Sequence, residues 1–158
     1  MNNVFVFILN CLGIPAIHIF TSKRALSIPL SKFDSNSPLF RERSFEKSGR
    51  FYQVFFLIKK WKRKLPDGGW LLGSDFRKDR FYGRQKNYLN RFIQESCRAE
   101  WSHWFMILAT PLFFIWNPIW ASLVIFVYSL LSNFPCILTQ RYNRIGLKRV
   151  LSRMDHSL

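Results

Sequence analysis

Residues 101–138 read WSHWFMILATPLFFIWNPIWASLVIFVYSLLSNFPCIL and decide the fold. The stretch contains one His and no Lys, Arg, Asp or Glu. A helix of about 20 apolar residues is long enough to cross the hydrocarbon core of a bilayer. This stretch is nearly twice that length, and Asn117-Pro118 interrupts it near its middle. It therefore predicts a membrane hairpin of two helices joined by a turn.

The chain is strongly basic outside its apolar segments. Its 158 residues carry a net charge of +15. Residues 21–100 hold 19 Lys and Arg against 8 Asp and Glu, a net +11, and residues 139–158 hold 5 against 1, a net +4. Such a charge attracts either nucleic acid or anionic lipid. Because nucleic-acid-binding modules do not normally carry this much lipid-compatible sequence, we expect membrane lipids as partners and no nucleic acid.

A second apolar segment occupies residues 1–20. It lacks the basic residues that precede the apolar core of a secretory signal, so we interpret it as a retained first transmembrane helix. The positive-inside rule places both basic stretches, 21–100 and 139–158, in the cytoplasm. The prediction is a single-domain, multi-pass, all-α protein of the cell membrane with about three transmembrane helices, an outer N-terminus and a cytoplasmic C-terminus. The first leg of the hairpin, 102–116, is short for a complete crossing.

The basic region 21–100 contains two stretches with helical spacing. Apolar residues recur at that spacing over 51–64, and basic residues crowd the end of the range. This pattern predicts an amphipathic helix lying on an anionic leaflet, although a helix packed on the rest of the protein has the same pattern. A second helix is predicted to begin at Asn87 and to run without a break into the hairpin.

Three ionisable residues near the predicted membrane boundary are candidates for chemistry: Glu95, Glu100 and His103. Ionisable groups at such a depth are costly unless they are paired or solvated. On a helix all three share an arc of roughly 140°. Glu100 and His103 are i, i+3 neighbours, and Arg98 can pair with Glu95. One hypothesis makes His103 a general base that Glu100 orients; the alternative places His103 in an interfacial belt with the tryptophans on either side.

We do not expect a metal site. Glu95, Glu100 and His103 resemble half of a carboxylate–histidine site, but such sites take ligands from further helices, and the chain has no second Glu-x-x-His. The three Cys form no Cys-x-x-Cys pair. A zinc site or a disulfide framework is therefore not expected either.

The second dense polar cluster follows the hairpin directly. It consists of Gln140, Arg141, Tyr142, Asn143 and Arg144. These side chains are good hydrogen-bond donors for phosphate groups or sugar hydroxyls. A positive-inside anchor is the alternative, and it accounts for the two arginines but not for the Gln and the Asn.

Three blocks of the sequence carry a family resemblance: FEKSGRFYQVFFLIKKWKRKLPDGG (45–69), RFIQESCRAEWSHW (91–104) and NFPCILTQRYNRIGL (133–147). Together, and in this order, they resemble the glycosyl-4,4'-diaponeurosporenoate acyltransferase family, small membrane enzymes of the staphyloxanthin carotenoid pathway. The resemblance implies esterification of a fatty acyl group onto the sugar hydroxyl of a glycosylated C30 carotenoid, the last step of staphyloxanthin-type pigment synthesis. It implies no cofactor, since acyl-CoA or an acyl carrier protein would supply the acyl group as a co-substrate.

This chemistry assigns hypothetical roles to the candidate residues. His103 would deprotonate the sugar hydroxyl and Glu100 would support it, because a hydroxyl is a poor nucleophile without a base. The partners would be membrane lipids, the glycosylated carotenoid and the acyl donor. A non-catalytic membrane scaffold or anchor protein is the alternative that the composition also allows. The candidate substrate-binding residues are Glu95, Arg98, Gln140, Arg141, Tyr142, Asn143 and Arg144.

Overall fold

The computed structural model describes residues 2–65, 76 and 85–156, and these residues form helices and connecting loops without a strand. The predicted all-α class is confirmed. The parts of the basic region at 66–75 and 77–84 lie outside the described residues. The described residues form five α-helices: α1 (Asn3–Ser27), α2 (Arg50–Phe55), α3 (Ile58–Trp61), α4 (Lys86–Ala109) and α5 (Ile119–His156). Short 3-10 helices lie at Leu30–Lys32, Ser44–Gly49, Lys62–Lys64 and Thr110–Ile115.

The predicted pair of helices joined by a turn is present as α4, the 3-10 helix Thr110–Ile115 and α5, which packs back against α4. Pro111 stands at the point where the α-helix tightens into the 3-10 helix. A proline ends an α-helix because it has no N–H and its ring clashes with the carbonyl one turn earlier. The chain then reverses at Asn117-Pro118, and the Ser122 N–H bonds to the Pro118 carbonyl, 3.1 Å away, in the first turn of α5.

Within the described ranges, two helices, α1 and α5, are long and apolar enough to cross a bilayer. Side chains on α1 and on the first half of α5, such as Phe7 (67% exposed), Trp120 (71%) and Leu131 (72%), expose most of their apolar surface. An exposed apolar surface of this extent is characteristic of protein in contact with lipid or with another protein. The two helices therefore suggest membrane association.

Polar contacts join α1 to the hairpin. The side-chain amides of Asn10 and Asn117 pair reciprocally, with N···O distances of 2.8 and 2.9 Å, and the Trp116 indole N–H donates to Asn10 Oδ1 at 2.9 Å. At the opposite end of the contact, the Ser22 and Ser102 hydroxyls are 3.5 Å apart. These contacts place α1 antiparallel to α4, and hydrogen bonds of this kind hold helices together where the surroundings are apolar.

The first helix is longer than predicted. The apolar segment was expected to end at residue 20, but α1 continues to Ser27. Thr21 and Ala25 continue the helix and are buried. The Thr21 hydroxyl donates to the Ile17 carbonyl at 2.8 Å, so burial of this hydroxyl costs no hydrogen bond.

The amphipathic helix predicted over 51–64 is interrupted. It consists of α2 and α3, separated at Leu57, which has a left-handed φ of 48°. Tyr52 and Ile58, both buried in the contact with α5, would lie about 120° apart on one continuous helix, so the break turns both toward α5. The Trp61 indole N–H donates to the Phe56 carbonyl at 2.7 Å and satisfies a group that the break leaves unpaired.

Candidate active site

The sequence-predicted site residues lie where α4 faces the second half of α5. The structure brings them into three separate groups rather than one. Glu100 meets Arg141 and Arg144 in a buried cluster of charges. His103 lies one turn further along α4 and bonds to α5. Glu95, Arg98, Tyr142 and Asn143 pair with neighbours on α2, α4 or the 3-10 helix Lys62–Lys64, whereas Gln140 Oε1 has no hydrogen-bond partner among the described residues.

Glu100 has no exposed surface and is held by two arginines from α5. Its Oε2 accepts from Arg144 Nη2 at 2.5 Å, and its Oε1 accepts from Arg141 Nη1 at 2.8 Å and from the Trp104 indole at 3.3 Å. Arg144 is itself only 2% exposed. A carboxylate buried this deeply is tolerated because the charged hydrogen bonds replace those it would make with water.

A second buried carboxylate, Glu46, completes this cluster and was missed in the sequence. It lies in the 3-10 helix Ser44–Gly49 and accepts from Arg141 Nε at 3.0 Å, from the Tyr52 hydroxyl and from the Arg43 backbone N–H. The cluster of Glu46, Glu100, Arg141 and Arg144, which we call the ion network, contains two charges of each sign. The available signal was the position of Glu46 inside the first family-like block, 45–69.

The ion network fastens the loop before α2 to the membrane-associated helices. Arg141 also donates to the Leu39 and Arg41 carbonyls, both at 3.2 Å, and Arg144 donates to the Phe40 carbonyl at 3.0 Å. All three guanidinium nitrogens of Arg141 therefore have acceptors within the protein, whereas Arg144 Nη1 is buried without a hydrogen-bond partner among the described residues. This geometry gives both arginines a structural role in addition to any contact with a substrate.

The electrostatics around Glu46 favour its charged form. Burial raises the pKa of the Glu46 carboxyl, but the hydrogen bonds from Arg141, Tyr52 and the Arg43 backbone outweigh burial and leave the pKa below its ordinary value. Burial, followed by the hydrogen bond to Glu46, raises the pKa of the Tyr52 hydroxyl. Tyr52 therefore remains a hydrogen-bond donor to a carboxylate.

Acid should weaken the fold through Glu46. Its pKa is lower in the folded than in the unfolded chain, so its stabilising effect is complete above the ordinary value of 4.5 and is lost as the pH falls through the folded value. We expect the temperature at the unfolding midpoint in detergent to decrease as the pH is lowered below 4.5. The slope of this decrease with pH should be shallower for Glu46→Gln. Glu42→Gln, at an exposed carboxylate, should retain the parent slope. Identical slopes for the parent and Glu46→Gln would refute this role.

His103 is held by α5 rather than by its predicted partner on α4. Its Nδ1 lies 2.8 Å from the Oδ1 of Asn133, a residue that is 1% exposed. The geometry does not support the prediction that Glu100 orients His103. Both carboxylate oxygens of Glu100 accept hydrogen bonds from the arginines and Trp104 instead. Asn133 was missed because it lies 30 residues from His103 in an apolar run where an isolated Asn gives little signal.

The other candidates have local or interhelical partners. The predicted Glu95–Arg98 pair is present at 3.1 Å. Tyr142 and Asn143 bond to the basic region: the Tyr142 hydroxyl accepts from Gln53 at 3.2 Å, and Asn143 Oδ1 accepts from Lys62 at 2.7 Å. Burial, and then repulsion from Lys59 and Arg63, lowers the pKa of Lys62. Gln140 Oε1 is buried without a hydrogen-bond partner among the described residues.

The described part of the chain contains no group of three or more His, Cys, Asp or Glu side chains that could hold a metal ion. What the site offers is an imidazole fixed by a buried amide, next to a rigid and internally balanced cluster of charges. An imidazole can accept a proton from a hydroxyl near neutral pH. Fold and site together define an all-helical protein, two of whose helices suggest membrane association, with an imidazole held beside a buried cluster of charges.

Comparison with known proteins identifies the family. The family model described as glycosyl-4,4'-diaponeurosporenoate acyltransferase matches residues 36–153. Relatives of that name from Staphylococcus aureus strains bovine RF122 / ET3-1 and USA300 are each 32% identical to the chain over 124 residues, 78% of this chain and 74% of theirs. The chain belongs to the glycosyl-4,4'-diaponeurosporenoate acyltransferase family. No solved structure matches it.

Family membership settles the choice between an enzyme and a non-catalytic scaffold that the sequence left open. The resemblance in the three blocks is confirmed, and the matched range 36–153 contains the whole ion network, His103 and Asn133. Since the relatives are named as acyltransferases, the chain is a transferase enzyme rather than a non-catalytic scaffold. Helix α1 lies outside the matched range.

Proposed function

We propose that this enzyme esterifies a fatty acyl group onto the sugar hydroxyl of glycosyl-4,4'-diaponeurosporenoate, as the last step of staphyloxanthin-type pigment synthesis. The observation that carries the proposal is the family match over residues 36–153, which includes every residue of the candidate site. The relatives named for this activity align over 74% of their own length. A substrate with a long polyene also suits the exposed apolar side chains of α1 and the first half of α5.

His103 is the proposed general base. It takes the proton of the sugar hydroxyl while the oxygen attacks the acyl carbonyl carbon of a thioester donor. The ester C–O bond forms, the thioester C–S bond breaks, and the leaving thiolate takes the proton. The donor is acyl-CoA or an acyl carrier protein, so the acyl group arrives with a co-substrate and the enzyme needs no resident cofactor.

We assign the attraction of the donor's phosphates to exposed cations rather than to the ion network. Lys59, Lys60 and Arg63 are exposed on and beside α3, whereas Arg141 and Arg144 face internal acceptors. A basic surface raises the local concentration of an anionic co-substrate. Gln140, with its unsatisfied Oε1, is the member of the 140–144 cluster best placed to bind a sugar hydroxyl.

The proposed topology has three spans, with α1 and α5 as complete crossings and residues 102–116 as the third. The Asn10–Asn117 pair and the 2.9 Å bond from Thr110 to Ser129 support it, since these polar groups face other helices and not the outer surface. The exposed apolar side chains of α2 and its junction with α3 then rest on the cytoplasmic leaflet, beside basic residues. This arrangement places the N-terminus outside and the C-terminus in the cytoplasm.

The topology predicts that tags inserted near residue 70 and at the C-terminus are on the same side of the membrane. Both regions carry an excess of Lys and Arg, and the positive-inside rule keeps such segments in the cytoplasm. Protease accessibility in intact and in opened cells measures this. Tags that report opposite compartments would contradict the three-span arrangement.

The activity is tested in cells that make the glycosylated carotenoid but have no acyltransferase for it. Expression of the chain should yield a lipid whose mass exceeds that of the acceptor by one fatty acyl group. Cells with an empty vector, and cells expressing His103→Ala at the same level in the membrane, serve as controls. Absence of the acylated product in cells with membrane-inserted protein would refute the proposed substrate.

A further inference from the structure

We propose that Asn133 is a positioning residue for the transfer reaction, which holds His103 in the tautomer with its proton on Nδ1 and its basic lone pair on Nε2. The inference rests on the proposed function of His103 as the base. It concerns a residue on α5 that carries no charge and lies outside the polar clusters recognised in the sequence. The contact that supports it is the 2.8 Å distance between His103 Nδ1 and Asn133 Oδ1.

The orientation of the Asn133 amide follows from its other contacts. Its Nδ2 donates to the Ser129 carbonyl at 2.9 Å and to the Ser132 hydroxyl oxygen at 3.3 Å. A backbone carbonyl can only accept, so the NH₂ group must face Ser129 and the oxygen must face His103. The amide is therefore not free to flip.

The tautomer of His103 follows from that orientation. The Asn133 oxygen is an acceptor without a proton of its own, so His103 Nδ1 must carry the hydrogen of their bond. In a neutral imidazole only one ring nitrogen is protonated, and the lone pair of the ring is then on Nε2. The structure thus assigns Nε2 as the atom that accepts the proton of the hydroxyl.

Burial makes this arrangement rigid. Asn133 is 1% exposed. Loss of the hydrogen bonds of a buried amide is unfavourable, because no water is there to replace them. Rotation of the Asn133 side chain would break its bonds to Ser129 and Ser132 as well as the bond to His103. A fixed imidazole ring lowers the entropic cost of reaching the reactive geometry, and this favours proton transfer by a general base.

The same two helices provide a matched control. Thr110 on the 3-10 helix donates to the Ser129 hydroxyl at 2.9 Å, which is another buried polar contact between the two legs of the hairpin. Thr110→Val removes this bond with little change in shape and leaves the His103–Asn133 contact intact. A role confined to holding the helices together would give Asn133 and Thr110 variants similar effects.

The kinetic test compares Asn133→Ala, Asn133→Asp and Thr110→Val as full chains in lipid nanodiscs. We expect Asn133→Ala to lower kcat by about 10-fold or more, with little change in the KM for the acceptor. This decrease should be smaller than the roughly 10²- to 10⁴-fold decrease in kcat expected on removal of the base, His103. Asn133→Asp retains an acceptor for Nδ1–H and should recover most of the rate. Thr110→Val should retain the parent kcat.

The spectroscopic test reads the tautomer directly. The chain has three His, so ¹⁵N-labelled histidine gives a spectrum simple enough to assign with His18→Gln and His156→Gln. At an alkaline pH where ordinary imidazoles are neutral, the His103 ring should show a protonated Nδ1 in the parent and in Asn133→Asp. In Asn133→Ala, Nε2–H should become populated.

Two outcomes would overturn the inference. One is a parent spectrum in which His103 carries its proton on Nε2, and this result stands even where Asn133→Ala does not fold. The other is an Asn133→Ala variant whose kcat or tautomer matches the parent. Failure of the proposed function gives a different result. In that case His103→Ala is fully active, so His103 is not the base, whereas the tautomer measured in the parent is unchanged.

Discussion

Replacement of His103 by Ala is expected to lower acyl transfer by about 10²- to 10⁴-fold, the usual contribution of a general base. A sugar hydroxyl loses its proton only at high pH, so without the imidazole it attacks the acyl carbonyl as a neutral, weak nucleophile. The loss should be in kcat. Because His103 is half-buried and bonds to α5 through one nitrogen, the variant should still insert into the membrane at the parent level.

The matched control is His156→Ala, at an exposed histidine in the last turn of α5. It should transfer acyl groups at the parent rate. The measurement is the initial rate of ester formation by purified protein in nanodiscs, normalised to the folded fraction. A His103→Ala enzyme with parent activity would end the proposed role of this residue as the base.

Replacement of Glu100 by Gln is expected to destabilise the fold by about 3–5 kcal/mol, the usual cost of breaking a buried ion pair on one side. The change leaves Arg141 and Arg144 with a surplus of positive charge, and the side chain of Arg144 is only 2% exposed. The free energy of unfolding in detergent measures this effect. A double variant, Glu100→Leu with Arg144→Leu, removes one charge of each sign and should recover part of the loss.

The control for Glu100 is the surface ion pair between Lys86 and Asp155, whose side chains are 40% and 54% exposed. Asp155→Asn should change the stability by no more than about 1 kcal/mol, because water screens exposed pairs. The comparison also decides between two roles for Glu100. A Glu100→Gln variant as stable as the parent but inactive would contradict the structural role and favour the catalytic role suggested by the sequence.

The features predicted correctly depend on information that is local in the chain. The hairpin over 101–138 was predictable because the absence of charge and the position of Asn117-Pro118 are properties of one continuous stretch. The Glu95–Arg98 pair was predictable because residues three apart share a helix face. Both predictions required no knowledge of which helix packs against which.

The features that were missed depend on contacts distant in sequence. Glu100 was paired with His103 because spacing on one helix shows only i+3 and i+4 neighbours, whereas its actual partner Arg144 lies 44 residues away. Glu46 and Asn133 were missed for the same reason. A single sequence shows that a carboxylate near a membrane needs a partner, but the partner is chosen by the packing of α4 against α5.

The break at Leu57 illustrates a different limit. The apolar positions over 51–64 do repeat at helical spacing, and each of the two short helices keeps that spacing. Burial of both Tyr52 and Ile58 against α5 outweighs the local preference for one continuous helix. The pattern therefore predicted the type of secondary structure correctly and its continuity incorrectly, because tertiary packing decides the latter.

The central claim, that this chain is sufficient for acyl transfer to the sugar of a glycosylated carotenoid, is tested most directly with purified protein. Nanodiscs that contain the chain and glycosyl-4,4'-diaponeurosporenoate would be supplied with a long-chain acyl-CoA or an acylated carrier protein. Mass spectrometry should then detect the acyl ester of the acceptor, formed at a rate that depends on His103. An acceptor that remains unmodified with both donors, in the presence of folded protein, would contradict the account.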